Sequence, residues 1–242
     1  MNICLFSNDE ISKPLNIKDE RAQHIIKVLH KKKGDTFTAG VIGGQSGVAR
    51  ILAIGEEGIS FDFTPEGDGK LLAPLEMIIG FPRPIQLKRL LRDIAALGVS
   101  RVHLTGTDLG EKSYMQSTLV ERGAAYKMLL DGSIQAGSTH VPELSLYKTL
   151  DECLKSVEGN ENLLLALDNV NPAVRLADAV TNAGQIQHVI AAIGSERGWT
   201  ERERRLLESC GFVRCGMGER IMRTETAATV AGAIILSGLG KI

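Results

Sequence analysis

The chain has 242 residues, 43% of them hydrophobic and 24% charged, which is enough to bury a substantial core as one large domain or two modest ones. Its 28 basic and 29 acidic side chains leave a net charge of -1. That balance excludes a globally cationic nucleic-acid binder, so any surface for a polyanion must come from local segregation of charge.

From residue 2 to about 70 the sequence breaks into short apolar bursts separated by Gly, Asp and Lys, at 36–39, 48–54 and 58–63. Ile59, Phe61 and Phe63 alternate with polar residues, the period-two mark of a half-buried strand, and this part reads as a small β-barrel-like domain. The exception is 19–33, where Ile25, Ile26, Val28 and Leu29 have helical spacing and Gly34-Asp35 closes the element. Residues 43–47, Gly-Gly-Gln-Ser-Gly, lead into a strand pattern and read as a hairpin turn.

Residues 66–70 read as a linker, which divides the chain into domains of 1–70 and 71–242. Beyond it, strand patterns at 75–81, 101–105, 163–167, 188–193 and 212–217 alternate with helical ones, implying a mostly parallel sheet covered on both faces. Leu87, Leu90, Leu91 and Ile94 form one apolar helix face. Thr149 with Glu152 and Thr200 with Glu203 have capping-box spacing, Asn171-Pro172 reads as a cap before a first-turn proline, and Gly211 ends a helix. Cys4, Cys153, Cys210 and Cys215 form no C-x-x-C pair and stand near no histidine at metal-ligand spacing, so neither a metal site nor a disulfide framework is expected. With no leader pattern and no apolar run of membrane-spanning length, the sequence reads as that of a soluble cytoplasmic protein.

Two segments stand out, Gly194-Ser195-Glu196-Arg197-Gly198 and Met217-Gly218-Glu219-Arg220-Ile221-Met222-Arg223-Thr224-Glu225-Thr226-Ala227. Each follows a strand pattern and precedes a helical one, which is where open α/β sheets bind their ligands. No G-x-x-x-x-G-K-[ST] is present, and Gly216-x-Gly218 meets Ile221 where a dinucleotide loop needs glycine. The glycines admit a ligand close to the backbone while Met217, Ile221 and Met222 supply apolar contact, which suits a flat, neutral, adenine-like group; tight turns with core methionines are the other reading. Arg223 either pairs with Glu225 or faces a substrate anion or carbonyl, and Glu225 suits the positive end of the helix that follows.

The first segment resembles the G-P-E-G-G loop, and the second the L-G-x-R-I-L-R-x-E-T-A motif, of the ribosomal RNA small subunit methyltransferase E family within the SPOUT superfamily. Further matches are His24 with Val28-Leu29 and Gly34-Asp35, then Leu97-Gly98-Val99, then Gln135 with Val141-Pro142, so the resemblance spans nearly the whole chain. It implies an α/β protein with an N-terminal PUA-like β-barrel that holds RNA and a C-terminal SPOUT domain whose mostly parallel sheet carries a deep trefoil knot. It also implies a homodimer that uses S-adenosylmethionine to methylate N3 of a uridine in small-subunit ribosomal RNA, free or in the assembled subunit. Cofactor contacts then fall on Gly194, Glu196, Met217, Gly218, Ile221 and Met222, with Leu165 and Leu167 at the end of the preceding strand.

The expected RNA contacts are Arg21, His24, Lys27 and Lys31 in one cationic stretch and Lys88 and Arg92 on one side of a helix. Each cluster also reads as a solvated helix face. Arg223 is the candidate that stabilises charge on the base carbonyls, being too basic to accept a proton, while Glu225 is either a base or a helix-end carboxylate. The family usually has Arg where this chain has His30, Pro at Ser195, Gly at Arg197, Glu at Ala96 and Arg at Ser138. Two other classes stand beside this reading: an RNA-binding homologue without catalysis, and a doubly wound nucleotide-dependent enzyme.

Overall fold

The computed structural model describes residues 2–117, 123–157, 163–184 and 188–242. They divide into two compact units, Met1–Leu71 with Asp131–Val141, and Leu72–Leu130 with Pro142–Ile242.

The first unit holds a five-stranded sheet of β1 (Cys4–Phe6), β2 (Leu15–Asn16), β3 (Thr36–Val41), β4 (Ser46–Ile54) and β5 (Gly58–Gly67). Its order is β1-β3-β4-β5-β2, with β1 parallel to β3 and the other pairs antiparallel. Alternation along β5 buries Ile59 and packs Phe61 and Phe63 against a core of Phe6, Phe37 and Ile51. The turn between β3 and β4 closes with Val41 N–H donating to Gln45 O, and Gly43 supplies a φ of +72°.

Ala22 and Ile25 close that core from α1 (Glu20–Gln23) and the π-helical turn that continues it, His24–Val28. Asp19 caps α1 by accepting from Arg21 N–H at 2.8 Å. The apolar spacing predicts a helix as far as 33, yet the helical hydrogen bonds stop at Leu29. His30 turns left-handed at φ +52°, and the Asp35 carboxylate takes Lys32 N–H at 2.8 Å. A local side-chain acceptor thus replaces a helical carbonyl.

The second unit is a seven-stranded, all-parallel sheet. Along the chain run β6 (Ala73–Gly80), α2 (Pro84–Leu97), β7 (Val99–Thr105), α3 (Lys112–Met115), α4 (Ala124–Ala136, which belongs to the first unit from Asp131 on), β8 (Glu143–Tyr147) and α5 (Leu150–Ser156). There follow β9 (Leu163–Leu167), β10 (Val174–Arg175), α6 (Leu176–Asn182), β11 (Val189–Ile193), α7 (Glu201–Ser209), β12 (Val213–Gly216) and α8 (Thr224–Gly238). The order β10-β12-β9-β11-β6-β7-β8 places β6 between the early strands and the late ones, so the crossover direction reverses beside β11.

Every residue of β11 is buried, as a strand covered on both faces requires. On one face α8 packs against α2, α6, β6 and β11, and Gly232 lets it come close: a Cβ there would lie 3.0 Å from Met77 and 3.1 Å from Leu97. The other face is covered by Leu150, Cys153, Trp199, Leu207 and Phe212 over Ile78, Ala166, Ile190 and Ala192.

The five strands read from the sequence are all present, while the edge strands β8 and β10 are additions. Thr200 and Glu203 form a complete capping box, whereas Thr149 makes half of one because Glu152 reaches back to Lys148 N–H. No helix begins at Asn171-Pro172: Asn171 adopts φ +45°, and Pro172 packs over Gly216, where a Cβ would meet it at 2.8 Å. The cysteines are free thiols, and burial pushes Cys4 and Cys153 up to about 12 and Cys215 up to about 11. Among the described residues no cluster suited to a metal ion occurs, and no helix is long and apolar enough to cross a membrane.

Candidate active site

A cavity of about 300 Å³ opens at the carboxyl ends of β9, β11 and β12. Three loops wall it, 167–170, 194–198 and 217–222, together with Thr224 and Ala227 from the start of α8. Leu167, Gly194, Glu196, Met217, Gly218, Ile221 and Met222 are therefore brought together. Leu165 is not among the lining residues: it lies two positions inside β9, fully buried between Ala191 and Val213.

The loop after β11 is a tight turn, with Gly198 N–H donating to Ser195 O at 2.9 Å and Gly198 at φ +71°. A Cβ at Gly194 would lie 3.0 Å from the Gly198 backbone, so a side chain there would push the turn open by a few tenths of an ångström. Thr224 ties the same loop to α8 by donating to Gly194 O at 3.4 Å, and the buried Trp199 indole donates to Leu167 O at 3.1 Å. Arg83, beyond the end of β6, pairs with Glu196 at 3.3 Å.

Among the lining residues that escape the sequence reading are two that pair with each other. Asp168 follows β9 directly, its side chain 1% exposed, and Arg204 of α7 holds it at 2.6 Å. The other Asp168 oxygen accepts from Val170 N–H at 3.0 Å, and the bond to Asp168 raises the Arg204 pKa. An acid directly after an all-apolar strand was the available signal for Asp168. Arg204 sits in a Glu-Arg-Glu-Arg-Arg run that reads as a solvated face.

A flat, neutral ligand with a polar edge fits this set. Met217, Ile221 and Met222 supply apolar walls and the glycines expose backbone groups. Ser195, 7% exposed, brings a buried hydroxyl that has no partner among the described residues. An unpaired buried hydroxyl is costly, and a hydrogen-bonding ligand removes that cost.

Arg223 and Glu225 stand next to the cavity and do not line it. Arg223 is the N-cap residue of α8, exposed, and makes no ion pair among the described residues, so it is not consumed by Glu225. Glu225 is half-buried in the first turn of α8.

Among the expected RNA contacts, Arg21 is committed inside its own unit. Its guanidinium contacts Asp19 at 2.8 Å, Glu10 at 2.9 Å and Leu5 O at 2.8 Å, and lies 4.9 Å from the Phe6 ring centre. Arg21 and the Ser7 N–H in turn hold the Glu10 carboxyl down at about 2. Lys27 is exposed, while His24 and Lys31 are half-buried. Lys88 and Arg92 lie on the exposed face of α2, opposite the buried Leu87, Leu90, Leu91 and Ile94.

Comparison with known proteins then fixes the family. Residues 70–236 match the family model described as an RNA methyltransferase domain. The ribosomal RNA small subunit methyltransferase E of Treponema pallidum is 40% identical over 98% of this chain and 91% of its own length. The chain belongs to the ribosomal RNA small subunit methyltransferase E family. A second relative of that name, from Borreliella burgdorferi, is 29% identical over 99% of both chains. The fold is shared with the crystal structure of the Neisseria gonorrhoeae protein of that name bound to S-adenosylmethionine, at a TM-score of 0.81 and 20% identity over 98% of this chain and 97% of that one.

The departures from the methyltransferase E pattern have defined places. Ser138, where the resemblance implies arginine, is buried and donates to Lys70 O at 3.0 Å, so it closes a turn and presents no cation. His30 occupies the left-handed turn, Ala96 is exposed on α2, and Arg197 is exposed on the cavity rim.

Proposed function

We propose that this chain is an S-adenosylmethionine-dependent methyltransferase acting on N3 of a uridine in small-subunit ribosomal RNA, in the cytoplasm and as a homodimer. In this reading the five-stranded unit is a PUA-like β-barrel that holds RNA, and the parallel-sheet unit is a SPOUT domain with a deep trefoil knot. The observation that carries it is the cavity at the ends of β9, β11 and β12, whose walls are the two family motifs.

The bound cofactor supplies a methyl group already activated on a sulfonium. What remains for the protein is alignment and charge. Gly194, Ser195, Met217 and Gly218, which line the cavity, would hold the cofactor through their backbone groups, and Met217, Ile221 and Met222 would give it apolar cover. Holding two reactants in a reactive geometry removes roughly 7 kcal/mol or more from a bimolecular barrier.

The uridine N3 proton is weakly acidic, and its loss spreads negative charge onto the flanking carbonyls. Arg223 has an exposed guanidinium without an ion pair among the described residues, and it is assigned to that charge. Glu225, in the first turn of α8, serves either as the proton acceptor or as the carboxylate that complements the helix end. Lys27, Lys31, Lys88 and Arg92 supply phosphate contacts, with His24 beside them.

Incubating the chain with labelled S-adenosylmethionine and unmodified small-subunit particles, then mapping the label by nuclease digestion and mass spectrometry, tests the assignment. One methylated uridine at N3 is expected, and no label in any uridine would contradict it. Arg223→Ala is expected to retain cofactor binding and lose transfer by about 100-fold or more. Wild-type transfer by that variant would remove Arg223 from the mechanism. The replacements at His30 and Ser138 favour one variant of this reading, the same chemistry on a different RNA site, which the same map reports.

A further inference from the structure

The same edge of the sheet carries a second cavity that the proposed cofactor site does not use. It also measures about 300 Å³ and opens at the ends of β6, β7 and β8, lined by Phe81, Thr107, Lys112, Met115, Lys148 and Leu150 with neighbouring glycines. None of these residues lines the first cavity.

Its chemistry is mixed in a particular way. Phe81 and Leu150 are buried and, with Met115, give an apolar floor. Gly106 keeps the ends of β7 and β8 in contact, since a Cβ there would lie 2.1 Å from Lys148 O. Beside that floor is Thr107 Oγ1, buried and without a hydrogen-bond partner among the described residues, and a Cβ at Gly110 would come within 2.8 Å of it.

The charges are sorted as well. Arg202 offsets the carboxylates of Asp108 and Asp151, at 2.8 Å and 3.0 Å. Glu111 also lines the cavity, with Ser113 Oγ 3.5 Å from its carboxylate. Lys112 and Lys148 are exposed and make no ion pair among the described residues. Two ammonium groups therefore face solvent beside an apolar slot with one unsatisfied hydroxyl.

This slot adjoins the first cavity through Gly80. A Cβ at Gly80 would lie 2.5 Å from Ser195 N and 2.9 Å from Thr107 Cγ2, so that one residue without a side chain separates the two walls. Ser195, on the far side, carries another buried hydroxyl without a partner among the described residues.

We propose that this second cavity receives one nucleotide of the RNA strand, its base on Phe81, Met115 and Leu150, its edge bonded by Thr107 Oγ1, and its phosphates on Lys112 and Lys148. A nucleotide matches the three features together: a flat face, a polar edge and an anion. The proposal rests on the RNA methyltransferase reading and adds the place where substrate approaches the cofactor.

The test titrates labelled oligouridylate into the full chain with S-adenosylhomocysteine present. Lys112→Ala/Lys148→Ala is expected to weaken binding about 10-fold at low salt and to flatten the dependence of log K on log salt by about 1 to 2. Thr107→Val is expected to weaken it about 5-fold with the salt slope unchanged. Both variants should keep wild-type affinity for S-adenosylmethionine by calorimetry, and a 4-thiouridine oligomer should cross-link to the peptides carrying Phe81 or Met115.

Wild-type affinity and slope in the double variant, or cross-links confined to other peptides, overturns the proposal. So does uridine 5′-monophosphate binding as tightly as the oligomer, which would assign the slot to a free nucleotide. A wild-type chain that binds no S-adenosylmethionine removes the underlying methyltransferase reading, an outcome separable from any effect of the lysines.

Discussion

Around the cavity of the parallel-sheet unit, the groups that define the site are largely backbone: the folded-back turn at 194–198, the left-handed Gly218 and the strand end at Leu167. In the five-stranded unit the candidate RNA contacts are long cationic side chains, and their value depends on their neighbours. Arg21 shows the difference, because Asp19, Glu10 and Leu5 O already hold its guanidinium while Lys27 is exposed. A glycine motif fixes its own geometry. A cation in a sequence is only a candidate until its counter-ions are known.

The largest expected effect lies at the buried Asp168–Arg204 ion pair of the cavity wall. Arg204→Ala leaves the Asp168 carboxylate buried without its partner and should cost about 3 to 5 kcal/mol in a denaturant titration, with weaker cofactor binding. A loss below about 1 kcal/mol would show that backbone alone holds the β9 loop. Next comes Gly80→Ala, whose Cβ meets backbone at Ser195. It should cost roughly 1 to 3 kcal/mol and displace the 194–198 turn, so cofactor affinity falls with the melting temperature.

In the five-stranded unit the two kinds of cation should separate. Arg21→Ala is expected to lower stability by about 2 kcal/mol and leave the salt slope of RNA binding almost unchanged. Lys27→Ala/Lys31→Ala should do the reverse, shifting stability by less than about 0.5 kcal/mol and reducing the slope by about 2. If both variants change the slope equally, the contrast between the regions fails.

The smallest effect is a pH dependence. Arg21 and Ser7 hold Glu10 at about 2, below its ordinary 4.5, so its charged form is favoured in the fold. Its contribution is therefore complete above about pH 4.5 and is lost as pH falls toward about 2. Glu10→Gln should cost about 1 kcal/mol at neutral pH, a modest figure because the side chain is 43% exposed, and the gap from wild type should close in acid.

The same contrast explains what was legible in the sequence. The central strands and α2 follow from burial on both faces and from helical spacing, so they are readable to within about two residues. Most of the residues that wall the cavity lie in the two motifs, and the residues expected at the cofactor, Leu165 apart, are brought together there. What was not legible depends on distant partners: the Asp168–Arg204 pair joins positions 36 apart, and Thr107 and Lys148 meet only because β7 and β8 are neighbours. Local competition misled the reading elsewhere, where Asp35 ended the first helix early and Asn171 made a turn in place of a cap.

Calorimetric titration of the purified chain with S-adenosylmethionine, NAD and ATP in parallel tests the central claim most directly. Saturable micromolar binding of S-adenosylmethionine, lost when Gly218 is replaced by valine at its φ of +104°, is the predicted result. Binding of NAD or ATP as tight as that of S-adenosylmethionine, or no binding of S-adenosylmethionine at all, would contradict it.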